Sequence, residues 1–140
     1  MSRLAFTIDD VHIDPPGLAI TNRAQAAINI DGMVAIAIDG EVVFREDVNF
    51  VEMMYSLVRW RDGGCAGDYG FDSSDFEETG LIRFQRQGGG YQFASCWRAE
   101  PHPAVLAPAA VEAFIAAFAA VCAATVRDEL GVDLEALPAL

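Results

Sequence analysis

The sequence predicts an α+β protein: an antiparallel sheet of five or six strands with two helices packed on one face, forming a single domain over residues 1–140. Three observations carry that reading. Apolar residues alternate with period two through Ala24–Ile38, two glycine-marked hairpins follow, and a helical stripe runs from Val111 to Leu130. Hairpin strands pair antiparallel, and helices that do not alternate with strands gather on one face of the sheet.

Taken in order, Leu4–Ile8 reads as a short strand, broken by Asp9-Asp10 and closed off by Pro15-Pro16-Gly17. In Ala24–Ile38 the even positions Ile28, Ile30, Val34, Ile36 and Ile38 define a buried face. One long strand, kinked or bulged at Gly32, keeps that set together. Asp39-Gly40 signals a hairpin, and a three-residue bulged loop over Asp39–Glu41 would set Ile38 opposite Val42 and Ile36 opposite Phe44. Asn49 with Glu52 resembles a capping box at the start of the first helix. Phe50, Met53, Met54, Leu57 and Val58 then keep helical spacing until Asp62-Gly63-Gly64. Leu81–Arg86 and Tyr91–Trp97 form the second hairpin about Gly88-Gly89-Gly90. Pro108 opens the second helix, whose Phe114, Ile115, Phe118 and Cys122 are expected to pack on Ile28, Ile30, Val34 and Ile36, and Gly131 closes it.

Composition narrows the function classes. A 53% hydrophobic share argues against disorder. A net charge of −12, with all nine basic residues arginine, makes nucleic acid and anionic membrane poor partners, because both are held by displacing counterions with cationic side chains. The charge favours a basic protein as partner. Cys65, Cys96 and Cys122 are odd in number and lack C-x-x-C spacing, which suits a reducing, cytoplasmic compartment. The first ten residues carry no apolar signal segment, and the uncharged run Ala113–Val126 is short for a bilayer core of about 30 Å.

The most distinctive stretch lies between Arg61 and Arg83. It holds Asp62, Asp68, Asp72, Asp75, Glu77 and Glu78 with no basic residue, and Tyr69, Phe71 and Phe76 sit among them. Asp68, Asp72, Asp75, Glu77 and Glu78, with Phe71 and Phe76 as apolar anchors, are therefore the candidate partner-binding residues. The acids fit no register of a calcium loop, so no metal is expected, and no cofactor. His12 and His102 lack partners at a catalytic spacing, Cys65 sits beside negative charge that disfavours its thiolate, and Gly88–Gly90 lacks the lysine of a phosphate loop. No catalytic residue emerges. Opposite the core stripe of the second helix lie Ala113, Ala116, Ala117, Ala120, Ala123 and Ala124, small enough for close approach of the first helix or of a second subunit, so a homodimer is among the admitted partners.

The runs Ile36–Phe44, Phe50-x-Glu52 with Leu57-x-x-Trp60, Asp75–Glu78 and Gly90–Ser95 resemble a pattern in small acidic bacterial domains, largely uncharacterised, some of them similar to the immunity proteins of toxin–immunity pairs. The likeness covers Val34 to Trp97. It implies a non-enzymatic domain that neutralises a basic toxin through its acidic loop, and it implies no catalytic residue. The alternative is a small-molecule or metal-binding protein, an enzyme included, with a pocket between sheet and helices.

Overall fold

In the computed structural model, which describes residues 2–139, strands and helices follow a different partition. β1 (Leu4–Ile13), β2 (Ile30–Ile38) and β3 (Glu41–Val48) form one antiparallel sheet in that order. β4 (Tyr69–Phe71), β5 (Ile82–Gln87) and β6 (Gly90–Ala94) form a second. The helices are α1 (Arg23–Asn29), α2 (Phe50–Asp62) and α3 (Pro108–Leu130), followed by a 3-10 turn at Leu134–Ala136. The α+β class stands. The single sheet of five or six strands and the pair of helices are corrected to two sheets of three and three α-helices.

The sheet divides because β3 ends it. β3 carries Glu41, Arg45, Glu46 and Asp47, its register shifts at Val43, and its flank is met by side chains rather than by another strand. Trp97 stacks on Phe44 at 6.0 Å, and His102 Nε2 lies 3.2 Å from Glu41. Charge and a bulge are ordinary means of closing a sheet edge.

The residues expected to begin a long strand form α1 instead. Asn22 Oδ1 accepts from Gln25 N at 2.8 Å, while Gln25 Oε1 accepts from Thr21 N and Thr21 Oγ1 at 2.7 and 2.8 Å. That reciprocal cap fixes a first turn where alanine-rich alternation fits either period. Ile28 consequently points outward, 48% exposed, and leaves the core set. Gly32 is not a kink: β2 runs through it, and a Cβ there would meet the Phe50 ring and Asp9 O at 3.0–3.1 Å.

The β2–β3 turn has two residues, with Asp39 at φ 51° and Gly40 at φ 84°, a geometry matched to strand twist. It sets Ile38 opposite Glu41. A bulge then restores the phase, so Ile36 faces Phe44 as expected and Val43 and Phe44 are both buried.

α2 lies against β2 and β4, whereas α3 lies against β1 and α2. The partner of the α3 stripe is thus the ring of Phe6, 5.6 Å from Phe114 and 5.1 Å from Phe118, with Phe84 of the second sheet 6.1 Å from Phe114. Trp60 joins the other end of this aromatic core, edge-on to Tyr91 at 5.5 Å. Pro108 occupies the first turn of α3, and Gly131, at φ 69°, closes it. Phe118 is fully buried. Phe118→Ala should cost about 3–5 kcal/mol in urea unfolding, because the gap opens between two packed rings; a loss below about 1 kcal/mol would contradict this packing.

Candidate functional site

The acidic connection meets the rest of the chain at one buried side chain. Asn49 stands between β3 and α2, at the N-cap position, and is wholly inaccessible. Its side chain does not cap the helix. Asn49 Nδ2 instead donates toward Ile28 O at 2.9 Å, Asp31 Oδ1 at 2.6 Å and Asp75 Oδ2 at 2.9 Å, while Oδ1 accepts from Ser73 Oγ at 2.7 Å. Glu52 does not reach back to complete a capping box. It accepts from Ser74 N at 2.9 Å and Ser74 Oγ at 2.8 Å. Both residues of the sequence signal therefore mark the helix start correctly and spend their side chains on holding the loop.

An amide has two hydrogens, so three oxygens around Nδ2 compete for them. Asp31 and Asp75 are thereby drawn to the same nitrogen. Burial first, then the charges of Asp75 and Asp47, push the Asp31 carboxyl up from 3.8 to about 6. His12 stands opposite Asp31 in the β1–β2 register; its ring is bonded to Asp10 O at 2.8 Å, the main reason its proton is held more tightly than usual.

The other candidate residues separate into two sets. Asp68 Oδ1 accepts from Arg86 N at 2.9 Å, and Asp72 Oδ1 accepts from Gly80 N at 2.7 Å, closing the loop on itself. With Asp75, these acids shape the connection. Glu77 and Glu78 are exposed and have no hydrogen bond or ion pair among the described residues. Phe71 belongs to β4 and is 1% exposed, so it faces the core and is not available as an anchor. Phe76 is half-buried, edge-on to Trp97 at 5.6 Å. Trp97 itself is 44% exposed. It was outside the sequence-derived set, and the only signal for it is an aromatic that follows the last strand by three residues.

The remaining polar features are structural. His102 is buried; Ala104 N donates to Nδ1 at 3.2 Å, which makes Nε2 the donor to Glu41. Cys122 is buried in the α3 stripe, where desolvation pushes its thiol well above the usual range. Among the described residues, no three His, Cys, Asp or Glu side chains are placed to hold a metal ion together. The assembled surface is a pinned acidic loop beside a stacked, accessible indole.

Residues 4–127 match the family described as "Domain of unknown function (DUF7878)". No curated protein and no solved structure matches the chain.

Asn49→Ala should cost about 2–3 kcal/mol, since it strands several buried acceptors at once. An unchanged urea midpoint would refute the junction. Asp31 gives a pH test. Its folded value lies above its free value, so its contribution is complete below about pH 4 and is lost as pH rises through 6. His12, also raised, acts in the same sense. Discounted for solvent screening at a half-buried site, the Asp31 effect is on the order of 1 kcal/mol. Asp31→Asn should flatten stability between pH 4 and 6 and raise it at pH 7, read by thermal unfolding across that range; a slope unchanged from wild type would count against the Asp31–Asn49–Asp75 geometry.

Proposed function

We propose that this chain, which belongs to the DUF7878 family, is a non-enzymatic domain that binds a basic partner protein in the cytoplasm and acts as an immunity protein acts, by covering a cationic site. The observation that carries this reading is the exposed Trp97, stacked on Phe44 and met edge-on by Phe76, the residue that precedes the exposed, unpaired Glu77 and Glu78 in the chain. Aromatic anchors flanked by charge are the usual centre of a protein interface. The charges steer encounter, and the indole supplies the area that holds the complex. The bonds from Asn49 and Glu52 fix the loop beforehand, so little ordering entropy remains to be lost on binding. The resemblance to immunity proteins supports the choice of a toxin as that partner.

One observation favours the alternative, a small-molecule protein. A hollow of about 320 Å³ lies between α2, α3 and the 3-10 turn, lined by the apolar Met54, Val58, Ala119 and Leu134 and by the charged Arg23, Arg61 and Glu135. Tyr55 also lines it, and the Tyr55 hydroxyl is buried without a hydrogen-bond partner. Such a site suits a small molecule with an apolar body and a polar group that meets the Tyr55 hydroxyl or Arg23. It sits among helices, not between sheet and helices.

The partner should be recovered by affinity capture on the intact chain and its binding followed kinetically. The wild-type association rate should fall as salt rises. The double variant Glu77→Arg with Glu78→Arg should associate roughly tenfold slower at low salt and lose most of that salt dependence. Trp97→Ala should mainly speed dissociation, by about 10–100-fold. Asp72 and Asp75 are left unchanged because they hold the loop. Unchanged rates in both variants would refute the surface, and a partner lost instead in Arg23→Ala would move the site to the helical hollow.

A further inference from the structure

The four sheet edges are not protected alike. β3 is charged and bulged, β4 has only three residues, and β6 is covered where Tyr91 bridges Leu106. β1 is ten residues long and pairs on one side only. Its protective devices, a bulge with Asp9 and Asp10, lie in its second half. The first half, Leu4-Ala-Phe-Thr-Ile8, carries no charge, no proline and no bulge. Folded proteins blunt a strand edge that is to remain open, so an unblunted one is suited to being paired.

The surface beside this edge has the same character. A hollow of about 600 Å³ runs between Ser2–Phe6, Arg3 included, and α3, where Ala110, Ala113, Phe114 and Ala117 form its far wall. Beyond it, α3 turns Ala113, Ala116, Ala117, Ala120 and Val121 to solvent, with no charged residue between Glu112 and Arg127. α3 is long and apolar enough to cross a membrane by length and composition, yet a third of its most apolar stretch is buried in this fold.

We propose that a second copy of this chain occupies that surface: two β1 edges pair antiparallel about a two-fold axis at Leu4–Ile8, and the two α3 alanine faces close on one another beneath the joined sheet. Charge selects the occupant. Two chains of net charge −12 repel over most of their surfaces, and this tract, in which Arg3 is the one charged lining residue of the hollow, is where two copies meet without opposing carboxylates. A lipid surface is the competing occupant, but the exposed face of α3 between Glu112 and Arg127 carries no lysine, arginine or exposed aromatic to seat the helix in a headgroup layer, and Arg3 is the single cation beside it in the hollow. Antiparallel pairing is self-complementary under a two-fold axis, and alanine allows the helices to approach closely. The inferred dimer is independent of the acidic loop, which lies on other elements.

Sedimentation equilibrium on the full chain tests this directly. Wild type should run at twice the monomer mass at micromolar concentration. Ala117→Arg with Ala120→Arg, at positions exposed in the single chain, should raise the dissociation constant at least about tenfold while leaving the far-ultraviolet spectrum unchanged. Hydrogen exchange at those amides of Leu4–Ile8 that point away from β2 should be slow in the dimer and fast in that variant. A wild-type monomer at about 100 μM, a dimer indifferent to both arginines, or a monomer that co-sediments with phosphatidylcholine vesicles would each overturn the proposal.

Discussion

The buried amide of Asn49 is the constraint on which the arrangement turns. Four segments converge on it: the end of α1 through Ile28, β2 through Asp31, the start of α2, and the acidic connection through Ser73 and Asp75. A neutral group that donates and accepts at once is what allows two carboxylates to sit there without a cation. A glutamine would reach too far, and an aspartate would add a third negative charge. The residue also sets the direction in which the chain leaves the first sheet, and hence where the second can form.

From that junction the acids divide by role. Those whose oxygens meet a backbone amide, Asp68 and Asp72, give the connection its shape, in the way a short carboxylate often stands in for a turn. Those left over, Glu77 and Glu78, are exposed and follow Phe76, whose ring meets Trp97. A negative run that looks uniform in the sequence is therefore a frame with two free charges mounted on it. The frame is costly at neutral pH, as the raised Asp31 shows, and such a cost is tolerable where the geometry it secures is used.

Local signals in the sequence were legible and distant ones were not. The α3 stripe, its Pro108 start and its Gly131 stop follow from helical spacing and capping alone, and both hairpins follow from their glycines. α1 was hidden because Ala24 and Ala26 alternate as well as they spiral, although Asn22 and Gln25 carried the capping pattern. The division into two sheets depends on what meets β3 from residues near 97 and 102, which no local pattern encodes. The candidate site was half legible. The acidic run locates it, but Phe71 and Phe76 look equivalent until β4 takes Phe71 into the core, and Asn49 bonds partners 18 to 26 residues away.

The two tryptophans divide the protein optically. Trp60, partly buried, is packed against Tyr69, Phe84 and Tyr91 at one end of the aromatic core, with its indole N–H 3.3 Å from Ala66 O. Trp97 stands half in water on the far side of the second sheet's last strand. The native emission is thus the sum of a shielded, blue-shifted indole and a hydrated, red-shifted one. A quencher dissolved in the buffer reaches the second more readily than the partly buried first. Any molecule that covers Trp97 shields it from that quencher and leaves the Trp60 signal in place, so the chain carries its own internal reference for occupancy.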